Sequence, residues 1–373
     1  MKVPLLDLTE QNNALRPEIE AALGRVLDTN AFILGGEVKA LEEELAAYCG
    51  TKYAIGCASG SDALLLALMA VGVGPGHEVI TTPYSFFATV SAVTRLGARP
   101  VFVDIDPQTF NLDVSQVEAL INDNTKAIQP VHLYGQCADM ETLNAIAAKH
   151  GVPVVEDAAQ AIGAKENGKL AGAMSEVGCF SFYPSKNLGG MGDGGFMTTD
   201  DDGIARELFA LRVHGSEERY YHKWIGLNSR LDGFQGAVLR TKLPYLEGWS
   251  NKRKENADRY RELFTNAGLS EQIGLPFERE NCRHIYNQFV IRVPGKREDL
   301  RKFLAENEIG TDIYYPVPLH LQECFEYLGY RESDFPESER AAVETLALPI
   351  YPEMKPEQQD YVVQKIGEFF ENA

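Results

Sequence analysis

"YAIGCASGSDALLLALMAVG", Tyr53 to Gly72, carries a short apolar run through a polar turn into a segment whose apolar residues follow a helical period. The same order repeats downstream. "EVIT" precedes "FFATVSAVTRLG", and "PVFVD" precedes "VSQVEALI". "KAIQPVHLYG" and "VPVVEDAAQ" read as two more strands, with the helix "METLNAIAAKHG" between them. Strands alternating with helices predict an α/β fold built on a mostly parallel sheet covered by helices. In open sheets of this kind ligands bind beyond the carboxyl ends of the strands, so chemistry is expected in the loops that follow these runs.

The chain has 373 residues, too many for one small core. A large domain over 1–245 and a smaller C-terminal α+β domain over 246–373 are expected. "LPYLEGWSNKRKENADRYRELFTNAG" reads as a long amphipathic helix, interrupted near Gly248, that bridges the two. Against 54 acidic side chains stand 35 basic ones, a formal charge of −19 that repels phosphate backbones and argues against a general nucleic-acid binder. A local pocket for a small anion is compatible with that total. The six cysteines are scattered without paired spacing, which predicts reduced thiols in a cytoplasm and neither a disulfide framework nor a metal site. Pro4 and Asp7 break the first apolar run, so no signal-peptide core is expected, and no apolar segment is long enough to span a membrane.

Beyond the first strand, Gly60, Ser61 and Asp62 open a helix. An ordinary helix cap, worth about 1 kcal/mol, explains them; free amides at a helix start with a glycine beside them also make an anion site. In "VVEDAAQAIG", Asp157 and Gln160 fall at or just past the end of a buried strand. A carboxylate there needs a partner, either a structural cap or salt bridge or a protonated heterocyclic nitrogen, with Gln160 free to donate to a nearby oxygen. "FSFYPSKNLGGMGDGG" then sets Lys186 between an aromatic strand and a glycine run. Alone, such a lysine is a solvated amine in a turn. With an anion cradle and an acid at a strand end, it completes the parts needed to hold pyridoxal phosphate: anion site, pyridinium partner and Schiff-base amine. The glycine run is no dinucleotide loop, because "GFMTTD" after it reads as a strand where that motif requires a helix. Of the adjacent Phe86 and Phe87, one is expected in the core and the other flat against a cofactor ring.

The set "ASGSDAL", "TTPYSFFAT", "FVDIDPQTFNLD", "VHLYGQCADM", "VVEDAAQAIGA", "FSFYPSKNLGGMGDGG", "LNSRLDGFQGAVLRTKL" and "YYPVPLHLQ" resembles the DegT-type nucleotide-sugar aminotransferases of the fold type I pyridoxal phosphate superfamily, in order and over nearly the whole chain. The resemblance implies that Lys186 carries the cofactor, Asp157 pairs with the ring nitrogen and Gln160 with the ring hydroxyl. It gives the phosphate to Ser61, Asp62 and Ser181 and the stacking role to Phe86. Asn228 would reach the cofactor phosphate of a neighbouring subunit in a homodimer with shared sites, and Arg230, Tyr315 and His320 would contact the sugar nucleotide. Glutamate is the amine donor usual in the family, and the "GQCAD" and "NSRLD" segments lean toward a UDP-linked 3-keto N-acetylhexosamine uronate destined for surface polysaccharide. Tyr314 and Ile162 stand where many relatives have His, which bears on substrate more than on reaction class.

Three other functions compete. A dehydratase branch of the same family replaces the lysine with His, and Lys186 speaks against it. A noncatalytic cofactor-bound regulator would need a nucleic-acid surface that the charge does not supply. A plain binding protein shares the fold without the chemistry.

Overall fold

The computed structural model describes residues 1–372. Seven strands form the central sheet: β1 (Tyr53–Cys57), β2 (Glu78–Thr81), β3 (Arg99–Phe102), β4 (Thr125–Ile128), β5 (Val155–Asp157), β6 (Val177–Ser181) and β7 (Gly195–Thr199). Ladders give the orders β3-β2-β4 and β5-β6-β7-β1, and the parallel bridges Ile128 to Val154 and Val131 to Asp157 join them edge to edge. Every pairing is parallel except those of β7, which runs antiparallel to both β6 and β1. The parallel pairings are joined by crossovers, whereas β6 returns to β7 through the thirteen residues 182–194, which hold the glycine run and no helix to carry a crossover.

Helix α3 (Gly60–Ala70) is apolar nearly all round, with Leu64, Leu65, Leu66 and Leu68 buried, and packs on β6 and β7. Ser59 caps it, accepting from Asp62 N at 3.1 Å. On the other face, α1 (Thr9–Thr29) and α2 (Gly36–Cys49) pack against α7 (Gly233–Lys242). The crossover segments α4 (Ala88–Arg95), α5 (Met140–His150) and α6 (Asp202–Leu211) complete the covering.

The expected interruption at Gly248 falls earlier. A 3-10 turn over Leu243–Tyr245 contains Pro244, and α8 (Leu246–Asn266) then runs unbroken through Gly248. Proline lacks the N–H that an α-helix interior needs, whereas a glycine in the first turn costs only about 1 kcal/mol. The C-terminal part pairs β8 (Phe289–Arg292) antiparallel with β9 (Thr345–Leu348) under α8, α9 (Arg297–Glu306) and α11 (Pro356–Asn372), with α10 (Pro336–Glu344) leading into β9. Its core gathers Tyr260, Phe264, Phe289 and Leu300, all fully buried, each contributing about 2 kcal/mol of apolar transfer. Val3 belongs to this C-terminal core rather than to the sheet domain, held by a parallel bridge to Ile309.

Candidate active site

The carboxyl ends of β5 and β6, the start of α3 and the loop before α4 enclose a cavity of about 500 Å³. Lys186, Asp157, Gln160, Gly60, Ser61, Ser181, Phe86 and Tyr315 all line it, so eight residues singled out from the sequence meet at one place.

Lys186 reaches the cavity because the chain behind it folds back tightly. Gly190 N donates to Phe182 O at 2.7 Å, Lys186 N donates to Tyr183 O at 2.8 Å, and a Cβ on Gly189 would lie 2.3 Å from Pro184 O. The glycine run is thus a geometric requirement of the turn. Lys242, buried at the end of α7, clamps it by donating Nζ to Gly189 O at 2.9 Å, and Gln235 Oε1 accepts from Met191 N at 2.8 Å. Among the described residues Lys186 Nζ takes part in no hydrogen bond or ion pair. Burial pushes its pKa down to about 8, partly countered by the Asp157 carboxylate.

Asp157 is buried, and burial raises its pKa against the hydrogen bonds from Thr89 and Ala159 and the charge of Lys186. Thr89 Oγ1 donates to Oδ2 at 2.8 Å, while Oδ1 receives only the long 3.3 Å bond from Ala159 N. Gln160 is oriented by its oxygen, which accepts from Tyr134 N at 2.7 Å. Its amide nitrogen is left toward the cavity, 3.1 Å from Tyr315 Oη.

At the opposite wall, a Cβ on Gly60 would sit 2.7 Å from Ser181 Cβ, so only glycine lets the helix start approach β6. Ser59, Ser61 and Ser181 place three hydroxyls around the first amides of α3. A phosphate fits that cradle, an unpaired amine fits a carbonyl, and Asp157 Oδ1 has capacity for a ring N–H. These residues suit pyridoxal phosphate. Phe86, about half exposed and 6.0 Å from the Tyr315 ring, is free to lie against it. Neither phenylalanine enters the core: Phe87 stacks on Phe325 at 5.4 Å, and the buried aromatic of this loop is Tyr84.

Four expected contacts lie elsewhere. The Asp62 carboxylate accepts from Ser229 Oγ at 2.7 Å, which turns it away from the phosphate cradle. His320 is buried with Nε2 3.1 Å from Glu339 Oε1 and its ring against Phe335; burial pushes its pKa down, and it does not line this cavity. Asn228 is exposed and Arg230 half-buried, and neither lines the cavity of its own chain. No salt bridge joins Arg230 to Asp232, which instead caps α7 through Gln235 N at 2.8 Å. Thr89, Ser85 and Lys242 were missed, although a hydroxyl four residues after another in "YSFFAT" is a detectable pairing on a helix start.

The model of the DegT/DnrJ/EryC1/StrS aminotransferase family matches residues 13–367. The chain is 53% identical to a pleiotropic regulatory protein of Geobacillus stearothermophilus, over 99% of each. It is 43% identical to the UDP-2-acetamido-2-deoxy-3-oxo-D-glucuronate aminotransferase of Pseudomonas aeruginosa, over 94% of this chain and 95% of the other. Among solved structures it superposes on DesV of S. venezuelae in complex with a ketimine intermediate, with a TM-score of 0.96 and 41% identity over 100% and 99% of the two chains. Further structures of this fold hold the cofactor as pyridoxal phosphate or pyridoxamine phosphate.

Proposed function

The chain belongs to the DegT/DnrJ/EryC1/StrS aminotransferase family and is a sugar aminotransferase dependent on pyridoxal phosphate; from that premise we propose that it moves the amino group of glutamate to a UDP-linked 3-keto N-acetylhexosamine uronate, for amino-sugar and surface polysaccharide synthesis in the cytoplasm. The observation that carries the reaction is Lys186 Nζ, unpaired, in one cavity with the buried carboxylate of Asp157. The Pseudomonas relative, whose name specifies that 3-oxo uronate, supports the substrate.

Bound pyridoxal phosphate supplies an electron sink that acidifies the proton beside a substrate amine. Lys186 holds the cofactor through Nζ and, once freed, takes that proton from glutamate and returns one to the sugar carbon. Asp157 Oδ1 would accept the ring N–H, Gln160 would donate to the ring hydroxyl oxygen, and the α3 amides with Ser61 and Ser181 would bind the phosphate. Phe86 would cover a ring face and Tyr315 would border the substrate side. The balance is glutamate plus keto-sugar to 2-oxoglutarate plus amino-sugar.

Arg230 grips the anionic part of the sugar nucleotide, and Asn228 completes the site of a second copy in a homodimer. The exposed hairpin Ser216–His222 and its flank support that assembly, with Tyr220 at 77%, Tyr221 at 70% and Ile225 at 93% exposure. Co-expressing Lys186→Ala with Asn228→Asp chains should recover partial activity from two inactive parents; mixed dimers without activity overturn sharing.

The decisive assay offers glutamate with UDP- and dTDP-linked 3-keto and 4-keto sugars. Fastest 2-oxoglutarate release is expected with the UDP-linked 3-keto uronate. Preference for another sugar overturns the substrate, and a deoxygenated product overturns amine transfer. The regulatory name of the Geobacillus relative supports a second reading, a cofactor-bound regulator, which predicts no turnover with any sugar.

A further inference from the structure

We propose that Thr89, oriented by Ser85, is a positioning residue that sets both the direction and the charge of Asp157. The inference rests on Asp157 being the ring partner proposed above.

Thr89 is fully buried in the first turn of α4. Its Oγ1 lies 2.8 Å from Asp157 Oδ2 and 2.8 Å from Ser85 Oγ. An ionised carboxylate can only accept, so Thr89 donates to Asp157. Its single proton is then spent, and Ser85 must donate to Thr89. The directed chain from Ser85 through Thr89 to Asp157 therefore exists in this sense only while Asp157 is charged. Thr89 cannot drift from this post, because its carbonyl accepts from buried Gln129 Nε2 at 2.8 Å and Gln129 O accepts from Thr81 Oγ1 at 2.8 Å. Securing Oδ2 leaves Oδ1, with its one long bond, as the oxygen available to the cavity.

The other ionisable groups around Asp157 are Lys186 across the cavity, Cys179 on β6, Tyr315 from the substrate side and, behind the sheet, Glu156 with the His132 ring bonded to it. Burial drives Asp157 toward its neutral form; among the groups that oppose it, the Thr89 hydroxyl, bonded at 2.8 Å, acts most strongly, ahead of Ala159 N–H and Lys186. Without that hydroxyl the shared proton moves from the ring toward Asp157. A ring with less positive charge lets the cofactor hold its remaining proton to higher pH.

The test titrates the visible absorbance of the cofactor-loaded enzyme against pH for Thr89→Val, Thr89→Ser, Ser85→Ala and the benchmark Asp157→Asn. Thr89→Val should move the midpoint up by about one pH unit and weaken equilibrium cofactor binding by roughly tenfold. Thr89→Ser should restore both, and Ser85→Ala should move the midpoint the same way by less. In the steady state, kcat should fall while both KM values stay within about twofold, the pattern of a lost transition-state contribution. A wild-type midpoint in Thr89→Val, with Asp157→Asn clearly shifted, overturns the inference and leaves Asp157 as ring partner. An unshifted Asp157→Asn removes that role and the inference with it. If Thr89→Val does not fold, an unchanged midpoint in Ser85→Ala overturns the proposal, and a shifted one supports it. Failure of Thr89→Ser to restore the midpoint also overturns it, since shape rather than the hydroxyl would then be what matters.

Discussion

Glu156 and Asp157 are neighbours on β5, both buried, and the alternation of a strand sends them to opposite faces of the sheet. At the back, Glu156 accepts from Gly172 N at 2.7 Å, Ser175 Oγ at 2.8 Å, His132 Nε2 at 2.9 Å and Met174 N at 3.0 Å. His132 is fixed as a donor there because its Nδ1 accepts from Ala138 N at 3.1 Å. At the front, Asp157 has one short bond and one long one. Two lysines repeat the contrast: burial lowers both Lys186 and Lys242 to about 8, yet Lys242 spends its proton on Gly189 O while Lys186 has no partner. A depressed pKa thus marks burial, and unfilled bonding beside a cavity marks chemistry.

The sharpest way to break this contrast is to remove each lysine. Lys186→Ala should abolish amine transfer, by at least about four orders of magnitude, with the fold retained. Borohydride reduction of the loaded wild-type enzyme should leave the pyridoxyl mass on the peptide containing Lys186; mass on another lysine contradicts the assignment. Lys242→Met should lower kcat only several-fold, through a looser turn behind Lys186.

The two acids come next. Asp157→Asn should cut kcat by roughly a hundredfold or more with little change in stability, since the carboxylate matters chiefly to the charged ring. Glu156→Gln should do the reverse. It turns an amide N–H2 toward donors that need an acceptor and should cost about 3 kcal/mol in denaturant unfolding, with near-normal kcat in the folded fraction. Equal kinetic damage from both would erase the distinction between the faces.

The smallest effect is a pH dependence. For each lysine the folded-state pKa, about 8, lies below its ordinary 10.5, so between those values the unfolded chain binds more protons. Stability therefore rises with pH across that window. In cofactor-free protein both lysines contribute, and Lys242→Met should flatten the rise in part. In loaded enzyme Lys186 is engaged, so the same substitution should remove most of what remains. Thermal melts from pH 8 to 10 measure it, and a slope unaffected by Lys242→Met counts against its burial as the cause.

Much of the sheet was legible because strand and helix periods alternate from Tyr53 onward, although the helix expected in "VSQVEALI" is only two 3-10 turns, Val114–Gln116 and Glu118–Leu120; Lys186, Asp157 and Gln160 follow from strand ends. The reversed direction of β7 was not read in advance, although the lack of a helical period between "FSFYPS" and "GFMTTD" was a signal for it. Side-chain direction was less accessible. Asp62 belongs to Ser229, which is 167 positions away in the chain. His320 belongs to Glu339, and a motif match cannot say that an imidazole is turned into packing. In "YSFFAT" the two aromatic rings drew attention from the hydroxyls around them, which hold the acid.

Val3 has a consequence for how the molecule is made. Its N–H donates to Glu308 O at 2.9 Å, its carbonyl accepts from Gly310 N at 2.8 Å, and its side chain is fully buried in a cluster otherwise drawn from Ala257 to Phe369. A segment synthesised before the sheet is thus part of a core whose other walls are synthesised after it. The central sheet has all its strands once Thr199 has emerged, while the C-terminal core must wait for α11 and recruit Val3 back across the sheet's whole length of chain. A fragment covering 246–373 alone would leave the Val3 position unfilled. A short peptide spanning the first eight residues, added in trans, should tighten it.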